Sequence, residues 1–417
     1  MTRVTPARRL QPQITHTKPH VRPEALLHDF TLKDKSALEK LNDELSKVNR
    51  IVLFLGDGCG GAASEIMRFA ELVNAPFVTG PMGKRWVDET HPLYKGVFGF
   101  AGHQDAQDLF INEEVELVLA VGASLSELGT GGWADTLLNE RMIHIDSSVE
   151  HFTRSPMAKL HVCGHLRAVF NKLIENVQQA RNWGRRWRGL VLPDNSASNP
   201  FGGKFVIDRL DDTTSNAVPL KPQRLFTYMA KRLPAGTKTF FDTGNSWAWG
   251  IHYYQRPESD GSYRLAMGFG AMGWAIGASI GCAIANRKQP TVCFTGDGAY
   301  LMSGQEITTA AQEKLPVVMV ILNDGVYGMI MHGQRMAQAE ELGYVLNQVN
   351  YADMAKSMGI EGIVIETAEE LEAIDFERLF KKDGPTLIDI RIDKEEIPPM
   401  GSRIKDLAGG EPPEPIN

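Results

Sequence analysis

Four cysteines are few for a chain of 417 residues, and Cys59, Cys163, Cys282 and Cys293 form no Cys-x-x-Cys pair. Their scatter argues against a disulfide framework or a zinc ribbon and leaves a reducing cytosol as the default compartment, so a cytoplasmic protein is expected. No apolar run is long enough to cross a bilayer, and no membrane partner is expected. Positive charge is also in deficit. The net charge of -7 argues against nucleic acid as the main partner. Only the start is basic, with Arg3, Arg8, Arg9, Lys18 and Arg22 and no acid before residue 24. That bias suits a transit peptide, but the segment has prolines and no amphipathic pattern and reads better as an extension or linker. What is present is globular in type, with 43% hydrophobic residues and length enough for two or three domains.

Short apolar runs alternate with helix-length stretches. Ser36 to Arg50 reads as a helix, Ile51 to Leu55 as a buried strand and Ala62 to Val73 as a helix. Further strands are expected at 75–79, 115–121 and 142–146. Alternation of this kind predicts an α/β chain with parallel sheets. The expected organisation is an extension over 1–35, a first domain over 36–180 and a linker over 181–218. A second domain would span 219–397 and a tail 398–417. The linker contains a Trp183–Arg188 basic-aromatic cluster, read as packing on a neighbouring domain rather than as an RNA contact. In the second domain, helices are expected over 222–231 and 273–285, and a strand over 237–242.

One constellation carries chemistry. Gly296-Asp297-Gly298 closes the apolar run Thr291–Thr295, and Asn323-Asp324-Gly325 closes the run Val317–Leu322. A helix-length stretch, Gly304 to Lys314, lies between. The pattern is a β-α-β unit with oxygen ligands and glycines at both carboxyl strand ends, where open parallel sheets bind ligands. Mg²⁺ takes oxygen ligands and commonly shares them with a phosphate. The expected set is Asp297, the Asn323 side chain and the Gly325 carbonyl. The glycines would let backbone approach a diphosphate.

Together with Gln305–Ala310 and Tyr327-Gly328, these segments resemble the thiamine diphosphate-binding motif. Asp242-Thr243-Gly244-Asn245-Ser246 resembles the diphosphate-contacting turn of such enzymes. Gly268–Gly273 resembles the turn beneath the aminopyrimidine, and Thr79–Lys84 with His91–Gly96 resembles their central domain. The chain over 36–407 is most similar to the superfamily of acetolactate synthase, pyruvate oxidase and benzoylformate decarboxylase. The resemblance implies two three-layer α/β domains with parallel sheets, a central Rossmann-like domain and a diphosphate-side domain. It implies thiamine diphosphate and Mg²⁺ as cofactors and a small 2-oxo acid as substrate. It places Gly244, Asn245, Ser246, Gly298 and Ala299 on the diphosphate, beside Gly296, Tyr327 and Gly328. It gives the Gly270 carbonyl, next to Ala271, to the pyrimidine amine and sets Met272 between the two rings. Bending the cofactor this way brings its amine to the thiazolium carbon, which acts as an ylid.

The resemblance also implies a glutamate on a pyrimidine-binding domain, and no counterpart is found before residue 36. No catalytic residue is therefore expected in this chain. A homo-oligomer or a separate pyrimidine-domain subunit would have to supply it. Carboligation by an acetolactate synthase-like enzyme, a non-catalytic cofactor-binding subunit or fragment, and a flavin-dependent oxidoreductase of the pyruvate oxidase type all remain open. Gly56-x-Gly58-x-Gly60-Gly61 resembles a dinucleotide turn. The arginine run that accompanies FAD in acetolactate synthases is absent after Val121-Gly122, which makes FAD the weaker expectation. Glu306 is read as a structural carboxylate, and His332 and Gln334 as either cavity-lining or solvated.

Overall fold

The computed structural model describes residues 35–182 and 205–400. The basic start, the Trp183–Arg188 cluster and the end of the chain lie outside these residues. Two six-stranded, wholly parallel sheets form the frame. The first contains β1 (Ile51–Leu55), β2 (Phe77–Thr79), β3 (Tyr94–Val97), β4 (Leu117–Val121), β5 (Met142–Asp146) and β6 (Leu160–Cys163), in the order β3-β2-β1-β4-β5-β6. The second contains β7 (Lys238–Phe241), β8 (Tyr263–Leu265), β9 (Thr291–Gly296), β10 (Val317–Asn323), β11 (Glu361–Ile365) and β12 (Thr386–Arg391), in the order β11-β12-β10-β9-β7-β8.

Burial on both faces explains why the central strands are continuous apolar runs. Along β10, Val318, Val320 and Leu322 enter one core, while Val317, Met319 and Ile321 enter the core on the opposite face. Along β1, Ile51, Leu53 and Leu55 face one core, and Val52 and Phe54 the other. Each sheet is therefore the middle of three layers.

One local expectation changes. The helix expected from Gly304 begins instead at Asp297 and breaks at Gly304, continuing as a 3-10 turn over Gly304–Glu306 and a second helix over Ile307–Gln312. The buried Tyr300 ring lies over Gly304, where any Cβ would approach it to 2.5 Å. Close packing requires two glycines of the dinucleotide-like turn. A Cβ on Gly56 would meet the Gly122 carbonyl at 2.2 Å, and one on Gly60 the Trp86 ring at 2.5 Å.

The two halves meet along a buried polar seam. Lys84 Nζ pairs with Glu89 at 2.9 Å and donates to the Ile251 carbonyl at 2.8 Å. Both groups are buried, and burial pushes the ammonium pKa down and the carboxyl pKa up. The His103 and His252 rings stack 4.3 Å apart. His103 Nδ1 accepts from the Val97 amide at 3.0 Å, so Nε2 carries the proton and donates to the His252 carbonyl at 3.2 Å. Burial holds both rings neutral.

Candidate functional site

Strand order dictates where a ligand can sit. From β7 the chain runs outward to β8; from β9 it runs the other way to β10. β7 and β9 are neighbours, with Phe241 opposite Phe294. Their connections leave in opposite directions, so a crevice opens at their carboxyl ends. A cleft occupies this place. Its walls come from the segments after β7 (Thr243–Ser246), after β9 (Asp297–Ala299) and after β10 (Asp324 to Ile330), with Met272 and Ile392.

Three helices begin at this cleft: Asn245–Tyr253, Asp297–Ser303 and Gly328–Met336. Apart from the Gly298 amide, which is held by Asp297, their first amides have no partner within their own helices, and the three dipoles point at one volume, which favours an anion. Glycine is needed at two of these entries. A Cβ on Gly298 would approach the Tyr327 ring to 2.4 Å, and one on Gly328 would approach Asn245 Nδ2 to 2.4 Å. Gly244, at φ 125°, lies where side chains are strained, but nothing occupies the space its Cβ would take.

A buried carboxylate, Asp297, and a half-buried one, Asp324, face the same space. Asp297 accepts from the Gly298 amide at 2.7 Å and the Gly325 amide at 2.8 Å. Burial nevertheless pushes its pKa up to about 6. Asp324 is pushed up to about 8, first by burial and then by the Asp297 charge. Among the described residues no three His, Cys, Asp or Glu side chains cluster as a metal cage. A hard cation here would satisfy both acids and complete its shell with ligand oxygens, which is the donor chemistry Mg²⁺ takes. The pair fits such an ion.

This arrangement alters the expected ligand set. Asn323 is the last ladder residue of β10, and its Nδ2 donates to Asp389 at 2.8 Å and to the Val349 carbonyl at 3.1 Å. It does not line the cleft. The Gly325 carbonyl accepts from the Leu346 amide at 2.9 Å, and the Gly325 amide is bound by Asp297. Asp324 is the side chain that faces Asp297. Asp297 is the first residue after β9 and Asp324 the first after β10. Counting from strand ends would have found it.

The remaining expected residues divide. Gly244, Asn245, Ser246, Met272, Gly296, Asp297, Gly298, Ala299, Tyr327 and Gly328 line the cleft. Gly270 and Ala271 lie on the adjoining turn but outside the wall. Thr243 Oγ1 donates to the Ala271 carbonyl at 3.0 Å. Glu306 is exposed, with Thr309 as its contact. His332 is buried away from the cleft, and Gln334 bonds the Leu342 backbone.

Asp242 holds the cleft together from behind. One carboxylate oxygen accepts from the Gly273 amide at 2.9 Å and Thr295 Oγ1 at 2.8 Å; the other accepts from the Ala275 amide at 3.3 Å. Its own carbonyl accepts from Ser246 Oγ. It thus ties the ends of β7 and β9 to the turn carrying Met272. Its side chain is fully buried, and burial raises its pKa against these donors.

Comparison with known proteins follows the same division of the chain. The thiamine pyrophosphate enzyme C-terminal TPP binding domain matches residues 242–390, and the thiamine pyrophosphate enzyme central domain matches residues 38–173. The acetolactate synthase large subunit of Cyanidium caldarium is 26% identical over 367 residues, spanning 84% of this chain and 59% of its own length. The acetolactate synthase isozyme 1 large subunit of Escherichia coli (strain K12) is 25% identical over 383 residues, spanning 89% of this chain and 65% of its own. The chain thus spans less than two thirds of either relative. An X-ray structure of a candidate thiamin diphosphate-dependent enzyme from Mycobacterium smegmatis superposes with a TM-score of 0.66 at 22% identity, covering 86% of this chain and 64% of that one. At that identity the likeness speaks for the fold alone.

Proposed function

The chain belongs to the thiamine pyrophosphate enzymes, and from that premise we propose that it binds thiamine diphosphate with Mg²⁺ and serves an acetolactate synthase-like enzyme that decarboxylates a 2-oxo acid and ligates carbon to carbon. One observation carries the reading: three helix N-termini and two carboxylates, one buried and one half-buried, converge in the crevice between β7 and β9. In this reading Asp297 and Asp324 hold the metal. Amides of Gly244 to Ser246, Ala299 and Gly328 face the diphosphate, while the Gly298 amide is held by Asp297. Gly270, Ala271 and Met272 serve the pyrimidine side.

Charge makes the cation necessary. Among the described lining residues there is no Lys, Arg or His. A diphosphate beside two aspartates therefore needs a divalent ion in addition to the helix dipoles. When bound, thiamine diphosphate supplies a carbon nucleophile able to stabilise a carbanion. The residues here hold, orient and partly desolvate that group.

Among the described lining residues there is likewise no glutamate. The acid that would address the pyrimidine is assigned to a surface outside this wall, on a second copy or on another chain. Uncovered apolar side chains on the turn and helices that adjoin the wall support such a cover. Phe269 is 97% exposed beside Met272, and Trp274, Leu301 and Met302 are also uncovered. The test is titration of the full chain with thiamine diphosphate, with and without Mg²⁺, against Asp297→Ala. Mg²⁺-dependent binding lost in the variant is expected. Equal binding in both, or none in either, refutes the reading.

A further inference from the structure

Away from the cleft, a positive charge stands without a counter-charge where the two domains meet. Arg264 lies on the edge strand β8, against the 3-10 turn Gly83–Trp86 of the first domain. Its guanidinium and that of Arg85 both lie over the Trp86 ring, 5.9 and 4.8 Å from the centroid. The packing leaves no room for a side chain at Gly261, where a Cβ would approach the same ring to 2.7 Å and Arg264 Nη1 to 3.0 Å. Arg85 pairs with Asp57, yet its buried Nε meets no acceptor. Arg264 makes no hydrogen bond or ion pair among the described residues, and its Nη1 is buried. Asp260, a further carboxylate that acts on Arg264, is engaged by Lys238 at 3.0 Å and by Ser262. Burial, and after it the Arg85 charge, push the Arg264 pKa down.

A half-buried charge without a partner is costly, and a guanidinium fork matches the oxygens of a carboxylate or a phosphate. We propose that Arg264, with Arg85 beside it, binds a small oxyanion, a carboxylate or phosphate group, at the junction of the two domains. The anion neutralises the charge carried by β8 and ties the edge of the second sheet to the turn of the first domain. Neither arginine lines the cleft, so the inference stands independently of the cofactor reading.

The test uses the full chain at constant ionic strength, with sulfate as the probe for a phosphate group and acetate as the probe for a carboxylate. Equilibrium dialysis of labelled probe is expected to show a site that Arg264→Met weakens at least about ten-fold, the factor that a hydrogen bond to a charged group carries. Arg264→Lys keeps the charge but not the fork and should fall between the two. Probe held at the helix N-termini of the cleft is common to parent and variant and cancels in the comparison. The probe that binds more tightly identifies the group. Melting temperature gives a second reading. Without oxyanion, Arg264→Met should melt at or above the parent, because an apolar side chain has replaced an unpaired charge, and added probe should raise the parent more than the variant. Equal binding of both probes by parent and Arg264→Met overturns the proposal. So does a variant that melts below the parent by the same interval with and without probe, the mark of a purely structural arginine.

Discussion

Replacing Asp242 by asparagine should loosen the cleft without touching any residue of its wall. The carboxylate accepts three hydrogen bonds, from the Gly273 amide, the Ala275 amide and Thr295 Oγ1. Asparagine has one acceptor oxygen. Turned toward Gly273 and Thr295, it keeps two bonds but sets its own NH₂ against the Ala275 amide. Hydrogen bonds to a charged group are worth about 1.5–3 kcal/mol each, and a buried donor left unmet costs about 1–3 kcal/mol. Relief of burying a charge offsets part of this, since burial already raises the Asp242 pKa. The net loss should be about 2–4 kcal/mol. Asp242→Ala removes both acceptor oxygens, leaves all three donors unmet and should cost more. Urea unfolding followed by near-ultraviolet circular dichroism reads the stability term. Thiamine diphosphate titration reads the second effect, because the turn carrying Met272 loses its tie to the ends of β7 and β9. A variant with an unchanged midpoint and unchanged cofactor affinity would refute the assignment of Asp242 as the post behind the site.

Three further outcomes are expected. Asp324→Ala should abolish the Mg²⁺ dependence of thiamine diphosphate binding, whereas Asn323→Ala should retain it and cost about 1–3 kcal/mol of stability through the unmet Asp389 acceptor; the reverse pattern would restore Asn323 as the metal ligand. Lys84→Met should cost about 3–5 kcal/mol by stranding Glu89 at the seam, and Lys84→Met with Glu89→Leu should recover much of it in thermal melts. His144, buried against Ser155 and the Ala123 carbonyl, has its pKa pushed down to about 4 by burial. Its native ring stays neutral where the unfolded ring would be charged. Stability is therefore full above pH 6.5 and falls by roughly 3 kcal/mol as pH drops from 6.5 to 4. His144→Gln should flatten the pH dependence of urea unfolding by about one proton in that window, and an unchanged slope would count against it.

Strands buried on both faces were the most legible part of the chain. β1, β4, β5, β9 and β10 announce themselves as apolar runs because each face meets its own core. β6, half-buried, and β8, three residues long at the sheet edge, carry too little pattern to be found. At the site, the glycine-flanked Asp297 was readable from its own surroundings. The choice between Asn323 and Asp324 was not. What turns Asn323 inward is Asp389 on β12, and what breaks the helix at Gly304 is the packing of Tyr300. Both are decided by tertiary packing that local pattern does not encode.

The helix Asn245–Tyr253 has one end at the cleft and the other at the first domain. There the Ile251 carbonyl is met by the Lys84 ammonium and the His252 carbonyl by His103. A cation at the carboxyl end and an anion at the amino end each favour the same helix dipole. The first domain lends no residue to the described cleft wall, yet it braces the rear of this strut and donates hydrogen bonds to its last carbonyls. Thiamine diphosphate arriving at Asn245 would thus press on a helix about 14 Å long whose far end is already electrically matched. Cutting the chain between the domains would leave every wall residue in place and remove that backing.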